Sequence, residues 1–228
     1  MNDREEIFEL FQKQSTSKLE VFETTQSVFK MVTEVLNELT EEYTQKANSV
    51  GDKIPMKCEE KGEFETRLSF GSDVLIFHLH SNVFTFEPSN SIWSTSYVKE
   101  DKQRAYCGII HIYNFLGDSF KYNRENDVGF LVSRIFVNKD RHFFVEGKKE
   151  LNTIFRDFMH QQVDKEKMRE IVEKSMLYAL KFDLYTPPFK LTELVTVSQM
   201  TELSDNQKLS TSKRVGFRMN WEKNANSH

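Results

Sequence analysis

The chain has 228 residues, a net charge of −4 and 29% charged residues. That size suits one hydrophobic core with an appendage, and the charge balance argues against general nucleic-acid binding, which rests on a basic face. Apolar residues make up only 38%, but 20 of them are Phe, and large rings supply buried area that the count understates.

The two cysteines, Cys58 and Cys107, form no CxxC pair and point to a reducing compartment. The opening MNDREEIFEL is acidic and carries no signal-peptide apolar region. No apolar run approaches the roughly 18 residues that span a bilayer. These features predict a cytoplasmic protein without membrane contact.

In chain order, Ile7, Phe8, Leu10 and Phe11 predict a short amphipathic helix over Asp3 to Lys13, ended by Gln14-Ser15-Thr16. Ser17-Lys18-Leu19-Glu20 fits a capping box, in which hydroxyl and carboxylate satisfy opposite backbone amides. It opens a long helix that ends near Asn48 to Gly51. Within that helix Phe22, Phe29, Val32, Leu36, Leu39 and Tyr43 recur at spacings of three and four, Thr25 fills one slot, and Val28 and Val35 widen the stripe. Such a stripe serves either a sheet beneath it or a second helix. A homodimer is expected, with Phe29, Val32, Leu36, Leu39 and Tyr43 at the interface. The cluster of Glu34, Glu38, Glu41 and Glu42 favours antiparallel or crossed helices over parallel ones.

Gly51 to Gly62 reads as a polar connector. Glu63 to Phe70 alternates as a strand with one wet face. Val74 to His80 is a second strand, and Ser81-Asn82 is expected to turn it into a third over Val83 to Phe86. Ile92 to Val98 is expected as another, with Trp93 and Tyr97 on one face.

Tyr106 to Leu116 places Ile110 and Ile112 on one side and Ile109, Tyr113 and Phe115 on the other, as in a central strand covered twice. Val128 to Val137, the turn Asn138-Lys139-Asp140 and His142 to Val145 predict a hairpin that Gly147 closes. Beyond it, Leu151, Ile154, Phe155, Phe158 and Met159 mark one helix, and Asp164 caps another, with Met168, Ile171, Val172, Met176, Ala179 and Leu180 facing inward. Pro187-Pro188 stops it. Phe189 to Leu203 is amphipathic, and from Ser204 the chain is polar.

The predicted fold is α+β: an antiparallel meander sheet of about six strands, helices packed on one face, and a long N-terminal helix. Its predicted divisions are a helical segment (1–50), an α+β domain (51–203) and a mobile tail (204–228).

For function, the strand residue Arg134 is out of place, since alternation puts it beside Phe130, Val132 and Phe136. Its guanidinium either snorkels over an apolar stem or recognises an anion through its planar fork. With Trp93, Tyr97, Tyr106 and Tyr113 it makes the candidate ligand site. His78-Leu79-His80 is the one metal-like spacing, with His111 or His142 as a third ligand from a neighbouring strand. Zinc wants three or four ligands, and no carboxylate or Cys is placed by spacing, so neither metal nor cofactor is expected. GxSxG, P-loop and GxGxxG signatures are absent. The sequence thus reads as a non-enzymatic binding or protein-interaction module that self-associates. The alternative is an enzyme or sensor acting on a small anionic or nucleotide-like ligand. The alternating basic and apolar stretch Lys213 to Trp221 offers a docking segment for a protein partner.

Overall fold

The structure is a computed structural model that describes residues 2–52, 54–148, 150–182 and 196–197. The division at 203, the stretch from Phe189, the tail and the segment Lys213 to Trp221 lie outside the described residues. The fold is α+β, built on a six-stranded antiparallel sheet in strict meander order. The strands are β1 (Met56–Glu60), β2 (Glu65–Phe70), β3 (Asp73–Leu79), β4 (Cys107–Leu116), β5 (Phe130–Asn138) and β6 (Phe143–Gly147).

Two helices cover one face, α1 (Asp3–Ser49) and, late in the chain, a helix over Lys165–Leu180. Their buried side chains merge with Leu68, Leu75, Phe77, Ile110, Ile112, Ile135 and Val145 into the main core. Among the described residues there are three short α-helices besides, α2 (Ser96–Glu100), α3 (Gly117–Lys121) and α4 (Leu151–Ile154), which makes the Lys165 helix α5.

α1 runs unbroken for 47 residues, about 70 Å, and so differs from the two helices expected. Gln14-Ser15-Thr16 costs only tenths of a kcal/mol per residue in a helix, too little to end one without Gly or Pro. The capping box forms at the true start, where Asn2 accepts from the backbone while Glu5 reaches back to it. The middle of this helix's apolar seam is spent inside the chain. Phe29, Val32, Leu36 and Leu39 are buried against the sheet and α5, whereas Tyr43 remains 39% exposed. The acidic residues beside the seam find cations on α5: Lys165 Nζ lies 2.6 Å from Glu38, and Arg169 pairs with Glu42.

Other expectations change for local reasons. β1 forms inside the presumed connector, because a charged strand is well suited to a sheet edge. Val83 to Phe86 is no strand; Phe84 alone exchanges two 2.8 Å backbone hydrogen bonds with Cys107. Ile92 to Val98 forms a 3-10 turn and α2 instead, since Asn90 and Thr95 each cap a helical turn through their side chains. The helix expected over Leu151 to Met159 stops at Ile154 because the β6 edge claims the backbone that follows. Phe155 and Gln161 carbonyls accept from Val145 and Phe143.

A register shift where β4 meets β5 alters the alternation around Arg134. It sends Val132, with Phe130, to the helix-covered side. Arg134 and Phe136 stay on the opposite face, so Arg134 does not share a side with all three apolar neighbours.

Candidate functional site

Between β3 and β4 the chain makes a long excursion over the face that the large helices leave uncovered. Residues 84–105 and Phe158 build a smaller apolar layer there, centred on Ile92, Val98, Ala105, Cys107, Ile109 and Phe136. This layer covers only part of the face. The remainder is a cleft of about 760 Å³, floored by Cys107, Ile109, Phe136 and Phe144, walled by Phe84 and Phe86, and rimmed by His80, His111, Arg134, Glu146 and Arg156.

Strand register places part of the polar rim: His111, Arg134 and Glu146 line the cleft and belong to one cross-strand row. Glu65, His78, His111, Arg134 and Glu146 are successive cross-strand partners from β2 to β6. A single transverse row therefore carries two carboxylates at its ends and cationic or titratable groups between. Arg134 Nε donates to Glu146 Oε2 at 2.9 Å, and its Nη2 donates to the same carboxylate. Among the described residues Nη1 has no hydrogen-bond partner. Its Cζ sits 5.3 Å from the Phe136 ring centroid, so the guanidinium itself lies over an aromatic ring.

His111 is the most constrained member. Its ring stacks on Tyr113 with centroids 5.6 Å apart, and lies 6.4 Å from His78 and 6.0 Å from His80. Its Nδ1 is shut off from solvent with no hydrogen-bond partner. Burial first, then the nearby His80, His78 and Arg134, lower its pKa to about 4, so the ring is neutral at pH 7. His80 Nδ1 accepts from the Asn82 amide at 3.0 Å, which leaves the proton on Nε2. Among the described residues Arg156 commits only Nε, to the Asn152 carbonyl. The Cys107 thiol on the floor is pushed well above its usual range by burial, so it is no ionised nucleophile.

The aromatic candidates separate. Tyr113 touches the site through His111. Trp93 donates Nε1 to the Glu87 carbonyl at 3.0 Å and so fastens the loop that forms the cleft wall, without lining the cleft. Tyr97 belongs to a buried structural knot. Its hydroxyl donates to Asp140 at 2.8 Å and accepts from Asn138 Nδ2 at 3.0 Å, and its ring stacks on His142. Tyr106 is half-buried at the foot of β4, away from the cleft.

Among the described residues no group of three His, Cys, Asp or Glu side chains is disposed to hold a metal ion, so His78 and His80 gain no third ligand. Phe84, Phe86, Phe144 and Arg156 were missed by sequence reasoning. The alternation of Phe84 and Phe86 was visible but suggested a strand, and nothing in the sequence marked Arg156. Among the described residues no helix is long and apolar enough to cross a membrane. Compared with known families, curated proteins and solved structures, the chain matches none.

Proposed function

We propose that this protein is a non-enzymatic binding module that holds a small anionic ligand in the cleft on the side of its sheet opposite α1 and α5. One observation carries the reading: guanidinium donors of Arg134 and Arg156 converge on a cleft whose protein carboxylates do not use them all. Glu146 takes one edge of Arg134, and among the described residues Arg156 is held only through a backbone carbonyl. A planar, charged fork with free donors matches a carboxylate or phosphate. Burial keeps the Cys107 thiol protonated, which favours binding over thiol chemistry. The test is calorimetry of the full chain against phosphate, acetate and benzoate. At least one anion should bind, and Arg156→Gln should weaken it about tenfold, the worth of one charge-assisted contact. No heat from any anion at millimolar concentration overturns the reading.

A second reading, self-association, has its own observation. Residues 2–16 of α1 are exposed along their whole length, and Ile7, Phe8, Leu10 and Phe11 are 49–67% exposed. An apolar stripe of this kind on a projecting helix fits pairing with a second copy. The expected homodimer then uses this stripe, since the expected seam residues Phe29, Val32, Leu36 and Leu39 are occupied by the chain's own sheet.

A further inference from the structure

We propose that the anion bound in the cleft carries an aromatic body: the site takes an aromatic acid, with its ring against the Phe floor and its charge on the guanidinium rim. The inference rests on the anion-binding reading above and adds the chemistry of the rest of the ligand.

Capacity is the first argument. A cleft of about 760 Å³ lies in the range of sites for whole organic molecules, roughly 300–1,000 Å³. An inorganic anion fills a small part of it and leaves the floor wet.

The floor is the second. Phe136 and Phe144 lie parallel, with centroids 4.6 Å apart and planes 3° from coincidence. Phe86 stands 5.8 Å from both at a tilt, and Phe84 meets His80 edge-on at 4.7 Å. Ring pairs prefer these offset and edge-on geometries to random apolar contact. A planar ligand thus finds rings on the floor and on one wall, and rigid rings lose little freedom on binding it.

The third argument is the division of polar groups. Arg134, Arg156, His80 and His111 stand on the rim and Cys107, Ile109, Phe136 and Phe144 on the floor. A ligand with one charged end and one flat apolar end satisfies both at once. His111, stacked on Tyr113, lines the cleft beside Arg134.

The test uses the full chain and four probes by calorimetry: 2-naphthoate, its neutral amide, acetate and decanoate. Naphthoate should bind at least about tenfold tighter than acetate or the amide, a difference of about 1.4 kcal/mol. Phe144→Leu, and separately Phe84→Leu, should weaken naphthoate severalfold and leave acetate unchanged. Circular dichroism confirms that each variant is folded. If acetate binds and naphthoate binds no better, the aromatic body is wrong and the anion site stands. If the amide matches naphthoate, the charge plays no part and both readings fall. Decanoate binding more tightly than naphthoate replaces the aromatic body with an aliphatic one and overturns the inference. Silence from all four probes overturns the aromatic body, and silence from phosphate as well overturns both.

Discussion

Gly108 lies against Thr25 of α1 with no room for a side chain, and Gly108→Ala measures that approach. A Cβ added there would lie 2.2 Å from Thr25 Oγ1, 2.7 Å from Thr25 Cβ and 2.8 Å from Thr25 Cγ2, whereas carbon atoms settle about 3.5–4.0 Å apart. Rotating the Thr25 side chain does not relieve this, because its Cβ is fixed to the helix backbone. Reaching 3.4 Å at that atom alone requires about 0.7 Å of movement (3.4 − 2.7). The helix is held on both sides by Val21, Val28 and Val32, each fully buried, and Thr25 is tied by its hydroxyl to the Val21 carbonyl at 2.7 Å. Overpacking of a rigid contact costs about 1–3 kcal/mol; removing a strand Gly returns up to about 1 kcal/mol. We therefore expect a net loss of about 2 kcal/mol in urea unfolding, with the slope of the transition unchanged. Thr25→Gly removes all three clashing atoms. Alone it should cost about 2 kcal/mol, from helix propensity and lost packing. Adding Gly108→Ala to it should then cost almost nothing, so the two changes couple by about 2 kcal/mol. A stable Gly108→Ala single variant, or simple additivity of the pair, refutes the placement of α1 on β4.

Four further outcomes are expected. Arg134→Lys should weaken anion binding severalfold, because Lys lacks the fork, and should leave the melting temperature nearly unchanged, because the Arg134–Glu146 pair is surface-exposed; equal affinity in both proteins places the anion elsewhere. Asn138→Ala should cost about 2–4 kcal/mol by thermal unfolding. Its Nδ2 serves Tyr97 and the Arg104 carbonyl, while its Oδ1 serves the Asp140 and His142 amides. Ligand affinity should survive it, and a loss below 1 kcal/mol rejects the knot.

His111, lowered to about 4, takes its proton later in the folded chain than in the unfolded one, where it titrates near ~6.5. The stability it contributes is complete above pH ~6.5 and lost as pH falls towards 4. His111→Asn should flatten that part of the melting profile, and parallel profiles refute the assignment. Light scattering at tens of micromolar should give a mass above the 27.0 kDa of one chain, and Phe8→Glu with Phe11→Glu should restore the monomer. A monomeric wild-type chain ends the self-association reading.

What the sequence determined is the part governed by short-range periodicity and by strong local chemistry. Alternation located β2 to β6 closely, and Asp164 announced α5, whose Lys167 amide it caps at 2.8 Å. The two-sided apolar character of Tyr106 to Leu116 correctly marked a central strand, now seen with the main core on one face and the smaller layer on the other.

Tertiary structure decided matters in which distant backbone or side chains compete. The β6 edge took hydrogen bonds that would have extended α4. A bulge moved Val132 away from Arg134. The seam of α1 went to the sheet and α5, leaving the N-terminal turns as its bare apolar surface.

The cleft belongs to this second class. Its row of His111, Arg134 and Glu146 comes from three neighbouring strands, in a register that no single stretch encodes. His80, Arg156 and the Phe rings reach it from outside that row. A side chain's role there follows from which strand lies beside it, and strand pairing is fixed by burial of the opposite face, where Gly108 lets α1 settle against β4.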